Sequence, residues 1–191
     1  MSAPGSNGIE VASAEHARIG RDHAGVGFMQ VGLSGFSKGM NMHPQLRRRD
    51  AFSVAGLTIR TSNKNERDPQ AARIGKLWGR FFDECAYEAP HRVGDMRLYG
   101  VYSSYEAGDS GDFDITAGVA VSGDPATVCI EAGDYLVFSG QGEMPQMVLA
   151  LWQAIWQYFE DHPEVQRTYR SDFESYGGPD QVDIHIGVAT Q

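Results

Sequence analysis

The chain has 191 residues, 41% hydrophobic and 21% charged, values that suit one folded domain with a real core, or two small ones sharing a core. Its formal charge of −9 disfavours a general nucleic-acid binder or a partner of anionic membranes, and draws in cations. Cys85 and Cys129 form no CxxC, the six histidines are scattered, no apolar run spans a bilayer and no secretory signal is legible; the expectation is a cytoplasmic protein with no metal and no cofactor.

Residues 1–48 are rich in Gly, Ser, Ala and Met and keep no period of 2 or 3.6. They are expected to be a flexible or disordered leader, with "LRRRD" as a solvated linker at its edge. No pair of patterned helices is legible there, so no DNA-binding helix-turn-helix is expected. Order begins at "AFSVAGLTIRTSN". Phe52 and Val54 alternate on one phase and Leu57 and Ile59 on the other, so a β-bulge is expected at Gly56. In "DPQAARIGKLWGRFFDE", Asp68 reads as an N-cap and Pro69 as the first helical residue. Ile74, Leu77, Trp78 and Phe81 then make one apolar helical stripe. "RLYGVYSSYE" and "FDITAGVAVSG" follow as strands joined by the loop "AGDSGD".

The second half repeats the order. "TVCIEAGDYLVFSG" is extended with a turn at Gly133, and "MPQMVLALWQAIWQYFEDH" is a helix with Val148, Leu151, Trp152, Ile155 and Phe159 on one stripe. "TYRSDFESYGG" and "QVDIHIGVAT" are two more strands. Aligning the halves pairs Trp78 with Trp152 and Gly118 with Gly187. The fold expected is therefore α+β: duplicated β-α-β-β modules, about 50–123 and about 126–189, related by pseudo-twofold symmetry around a central cleft. A duplication of this kind names no function by itself.

Glu174 stands out in "DFESYGG". Strand alternation puts Glu174 and Tyr176 on one face, between aromatic neighbours. Such an acid either guards an edge strand or sits in a pocket, where desolvation disfavours its charge until a cation arrives. Trp78 and Trp152 occupy equivalent places on the two helices and are either core or cleft wall. Tyr102 aligns with Glu174 in the first module, which aims its hydroxyl at the same cleft. Asp109, Asp112 and Asp114 lack EF-hand spacing and read as a solvated turn. His185 reads as structural rather than as a base.

The succession "FSVAGLTIRTSN", "IGKLWGRFF", "LYGVYSSYE", "ITAGVAV", "CIEAGDYLVF", "LWQAIWQYF", "DFESY" and "VDIHIGV" resembles the GyrI-like, AraC-type effector-binding domain over residues 50–189. The resemblance implies a cleft that takes amphipathic, cationic or aromatic small molecules in the manner of multidrug binders. Glu174 falls on the family's anchoring glutamate, and Tyr176, Trp78, Tyr102 and Trp152 become the candidate ligand-binding wall. It implies a sensing, sequestering or regulatory role, with transcriptional control run through a separate DNA-binding regulator. Two alternatives stay open: a hydrolase of strained, cyclopropane-type electrophiles with Glu174 as general base, and an inhibitor that binds a protein partner such as gyrase.

Overall fold

A computed structural model describes residue 39, residues 43–94 and residues 96–189 of the chain. The leader expected over 1–48 therefore lies mostly outside the described residues. Eight strands make one sheet: β1 Gln45–Arg49, β2 Phe52–Ser62, β3 Leu98–Ser103, β4 Asp112–Val121, β5 Val128–Ile130, β6 Gly133–Gln141, β7 Ser171–Tyr176 and β8 Gln181–Val188. They are ordered β1-β6-β8-β7-β3-β4-β2-β5, every pairing antiparallel. Counted outward from the β3–β7 pair, β4 then β2 lie on one side and β8 then β6 on the other. Among the described residues three α-helices pack with the sheet: α1 Asn63–Glu66, α2 Ile74–Asp83 and α3 Gln146–Asp161.

α2 lies on β2 and β4, and α3 on β6 and β8, all on one face of the sheet. The expected stripes are the buried ones. Leu77, Trp78 and Phe81 face inward from α2, as do Val148, Leu151, Trp152 and Ile155 from α3, while Phe159 is half-buried. Sheet residues Ala117, Val119, Phe138, Ile184 and Ile186 complete this core. Burying one such aliphatic side chain contributes about 1.5–3 kcal/mol, so this layer supplies most of the driving force.

The other face carries a smaller cluster of Val54, Val101, Ile130, Tyr135 and Phe173. His185 stacks on Phe173 there, with ring centroids 4.1 Å apart and planes 10° apart. Burial, then the charges of Arg49 and Arg97, push its pKa down to about 3. It is a neutral core residue.

Three local expectations are corrected. β2 carries no bulge: its register with β4 runs unbroken from Ser53↔Val121 to Ser62↔Asp112. The hydrophobic phase changes because the strand is covered on both faces in turn. Phe52 and Val54 join the smaller cluster, while Leu57 and Ile59 pack toward the helices. Gly56 is there for close approach instead, since a Cβ would stand 1.9 Å from the Ala117 carbonyl oxygen. Asp68 closes a turn by accepting the Gln70 amide at 2.9 Å, and does not cap α2, which starts at Ile74. The acid at that helix terminus is Glu66, whose carboxylate accepts the Arg73 and Ile74 amides at 3.1–3.2 Å. Finally, Gln45–Arg49, read as linker, is an edge strand bonded to β6. All five residues are exposed, so no apolar alternation marks it.

The β3–β7 pair joins the halves at the middle of the sheet. A chain of residues 50–123 alone, a little over 70 residues, would leave β3 an open edge and strip α2 of the neighbouring core. It should show no cooperative unfolding transition by circular dichroism; a cooperative one would show that the halves do not share a core.

His185 gives a pH prediction with a definite sign. Its folded pKa is depressed, so the stability tied to its neutral form is full above about 6.5 and is lost as pH falls toward 3. His185→Phe keeps the stack without the titration. Urea midpoints should therefore move in favour of the variant on acidification through that range, and a constant difference would refute it.

Candidate ligand-binding site

β7 is buried along all six residues, so its acids face protein on both sides. Residues directly opposite across an antiparallel pair share a face, and Glu174 is opposite Gly100, with Tyr176 opposite Leu98 and Asp172 opposite Tyr102. Leu98, Tyr102 and Tyr176 belong to the helix-covered core. Glu174 therefore points toward the helices, from the middle of the sheet rather than an edge.

Its carboxylate is 3% exposed. Oε1 accepts the Tyr102 hydroxyl at 2.8 Å and the indole Nε1–H of Trp152 at 2.8 Å. Oε2 accepts the Tyr176 hydroxyl at 2.7 Å. All three donors are neutral, and among the described residues no Lys or Arg pairs with this acid. Burial pushes its pKa up, while the three hydrogen bonds pull it back in part. Burial, together with the neighbouring Glu174, holds the Tyr102 and Tyr176 hydroxyls well above the usual tyrosine range, so both remain donors.

Gly100 makes the room. A Cβ there would stand 2.7 Å from Glu174 Oε2 and 3.3 Å from Trp78 Cζ2. Trp78 itself is 1% exposed and meets Tyr176 edge-on at 5.4 Å. It packs beside the acid's partners, whereas Trp152 bonds the acid directly and lies 5.1 Å from the Tyr102 ring. All five candidate residues thus gather at one point. The two tryptophans divide the work unequally, which their equivalent sequence positions do not reveal.

A second acid, Asp172, continues the same face. Its Oδ1 accepts the Gly187 amide at 2.8 Å, and its Oδ2 accepts the Tyr105 hydroxyl at 2.8 Å and Arg167 Nη2 at 2.7 Å. Arg167 Nη1 donates to Asp109 at 2.6 Å, and Tyr169 donates to the same carboxylate at 2.8 Å. Asp109, read from sequence as part of a solvated turn, is half-exposed and tied across to this network. None of Asp172, Arg167, Tyr105 or Gly100 was singled out in the sequence. Only Asp172 carried a signal there, its two-residue spacing from Glu174.

Two hollows lead inward. An outer one of about 440 Å3 is lined by Trp156, Phe159, Val165 and Tyr169 among others. An inner one of about 50 Å3 is lined by Tyr102, Trp152, Tyr105, Phe113, Ile74 and Glu66 among others. Asn63, Asp109, Trp156 and Arg167 border both. Drug-sized ligands occupy roughly 300–1,000 Å3, so the outer hollow is large enough and the inner one is closed down onto its aromatics.

The sequence model for an integron-associated effector-binding protein, Cass2, matches residues 45–188. The chain belongs to that family. Its fold and sequence are similar to an integron cassette protein from the mobile metagenome of Vibrio cholerae, at 35% identity and TM-score 0.66, covering 81% of this chain and 97% of that one. The GyrI-like, effector-binding resemblance read from the eight segments therefore stands. Two further structures share the fold alone. SAV2435 bound to tetraphenylphosphonium has 16% identity and TM-score 0.63, covering 76% of this chain and 93% of that one. EcmrR, in its DNA complex, has 15% identity and TM-score 0.51, covering 79% and 59%. No curated protein sequence matches the chain. Among the described residues of this effector-binding domain, no helix is long and apolar enough to cross a membrane.

Gly100→Ala tests the packing around the acid. The added methyl drives the carboxylate off its donors or the strands apart, and should cost about 1–3 kcal/mol in urea unfolding. Gly178→Ala, where a Cβ meets nothing within 4 Å, is the control and should change little. Equal stability for the two variants would show that the carboxylate is not packed as described.

Proposed function

We propose that this domain binds amphipathic aromatic cations, with Glu174 as the charge anchor and Trp152, Tyr102, Tyr176 and Trp78 as the aromatic wall. The observation that carries the reading is a buried carboxylate held by three neutral donors and, among the described residues, by no positive charge. Hydrogen bonds orient that charge and offset part of its desolvation, but a cation offsets far more. Aromatic faces around it add about 0.5–2 kcal/mol for each desolvated cation–π contact. The net charge of −9 favours the approach of cations, and the half-apolar outer hollow suits the ligand's hydrophobic body. A protein of the same fold has been captured with tetraphenylphosphonium, a lipophilic aromatic cation. The biological role that fits is sensing or sequestering such molecules.

Reaching Glu174 requires the inner hollow to open, and Tyr102 and Trp152 are the side chains that stand in front of it. Both can exchange a bond to the carboxylate for stacking on the ligand. Apparent affinity is thus the open cleft's affinity multiplied by the fraction of time the cleft is open.

Glu174→Gln keeps the shape and removes the charge. Tetraphenylphosphonium should then bind about 10- to 150-fold more weakly by calorimetry, the equivalent of about 1.5–3 kcal/mol, while its neutral isostere tetraphenylmethane-type probes should lose much less. The pH dependence follows from the raised pKa. Cation binding needs the ionised form, so affinity should fall as pH drops toward and below that pKa, which lies above the ordinary value of about 4.3. The same raised pKa means that folding favours the protonated acid, whose stabilisation is full at low pH and is lost as pH rises through the folded value. The Gln variant should therefore be at least as stable as wild type at neutral pH and lack the pH dependence of binding. Cation affinity within twofold of wild type in that variant would refute the anchor.

A further inference from the structure

Arg167 lies in the connection between α3 and β7, where the sequence has no periodic pattern, yet its side chain is only 4% exposed. Both terminal nitrogens are spent, Nη1 on Asp109 and Nη2 on Asp172. The rings of Tyr169 and Phe159 lie 4.5 and 5.6 Å from the guanidinium carbon. One edge of the guanidinium plane remains. Its Nε–H is buried and has no hydrogen-bond partner among the described residues. Native proteins rarely leave such a donor unmet, and where they do a ligand is a common reason. Arg167 also borders both the inner and the outer hollow.

We propose that Arg167 Nε is a second subsite in the cleft, one that takes an uncharged acceptor such as a carbonyl oxygen on the ligand. This deepens the reading of the domain as a cation binder and rests on it. The charge balance selects the chemistry. Asp109 and Asp172 together outweigh the single guanidinium charge, so an anionic group would meet net repulsion, while a neutral acceptor meets only the unmet N–H. The spacing selects the ligand's length. Asp172, which holds Arg167, is two residues from Glu174 on the same face, about 7 Å along the strand. Arg167 lies beyond Asp172's carboxylate, so a ligand with its cation at Glu174 would present its acceptor to Arg167 from that spacing or somewhat more, across the Tyr102 and Trp152 rings that line the inner hollow with it.

The same arrangement says which contact gives way. Asp172 is fully buried and triply bonded, and it stays. Asp109 is on the β3–β4 loop with its side chain 48% exposed, so its ion pair is the weaker one. As a ligand widens the inner hollow, Asp109 moves with its loop and the Nε edge faces the ligand.

Two matched probes test this: heptyltriphenylphosphonium and its 6-oxoheptyl analogue, which differ by one carbonyl at the required reach. Calorimetric dissociation constants are compared for wild type, Arg167→Lys and Glu174→Gln. Lysine keeps the positive charge for Asp172 and removes the Nε–H; should it not fold, Arg167→Met with Asp172→Asn removes the ion pair as a unit. In wild type the ketone should bind about tenfold more tightly than the alkyl probe. That ratio should collapse to unity or below in Arg167→Lys, whatever the absolute affinity of either probe, and both probes should weaken together in Glu174→Gln. Equal affinities for the two probes in wild type, with Glu174 dependence intact, would overturn the acceptor subsite and leave the cation reading standing. A ketone preference that survives Arg167→Lys would also overturn it. No binding of either probe to wild type would bring down the cation reading, and this subsite with it.

Discussion

A carboxylate held away from water, with no counter-ion among the described residues, is the constraint around which this domain is arranged. Glu174 sits on one of the two middle strands, under both helices, and almost every unusual feature nearby exists to tolerate it. Leaving such a charge unsolvated would cost several kcal/mol. Tyr102 and Tyr176 bring hydroxyls from β3 and β7, Trp152 brings an indole N–H from α3, and Gly100, having no Cβ, leaves room for the acid. The two halves of the chain each contribute to this cage. A site at the β3–β7 seam draws on both halves of the sheet, and neither half alone surrounds it.

Under the proposed function, the cage would also make the site selective. Three neutral dipoles stabilise the charge enough for the fold to survive, and too little to make it indifferent to a cation. Rings rather than small polar side chains carry those dipoles, so under the proposed function the groups that solvate the acid in the closed cleft would also stack on a ligand once it opens. Beyond them Asp109 and Arg167 border both hollows, and Arg167 ties the β3–β4 loop through Asp172 to the strand that bears Glu174. Breathing of that loop, fixed on one side by the exposed end of an ion pair, is the least expensive way in.

Much of this was legible in the sequence because strands and amphipathic helices announce their faces. Alternation in "DFESY" put Glu174 and Tyr176 together, the aligned halves brought Tyr102 to the same point, and the helical stripe turned Trp152 inward. What was not legible had physical reasons. Gly100 reads as a weak strand residue, since nothing in a sequence says that a carboxylate fills the space of its missing side chain. Arg167 lies in a connection with no period. Asp68 has the look of a cap, but the acid at the start of α2 is Glu66, placed there by the fold. β2 seemed to slip phase at Gly56 because its two ends are covered on opposite faces, a fact of tertiary packing. β1 is exposed on every residue and is held by its backbone ladder with β6 and one exposed Arg48–Asp134 ion pair, so no apolar alternation in its five side chains marks it.

The central claim is that Glu174 is a buried, ionisable group whose charge a ligand cation satisfies. Its carboxyl carbon can be followed directly by carbon-13 NMR in protein labelled at glutamate, through a pH titration with and without saturating tetraphenylphosphonium, with Glu174→Gln used to assign the resonance. The account predicts a midpoint above the ordinary glutamate value in the free protein, and a clear fall in that midpoint when the cation binds, because binding to the ionised form and loss of the proton are linked. A midpoint that is the same with and without the bound cation would contradict it.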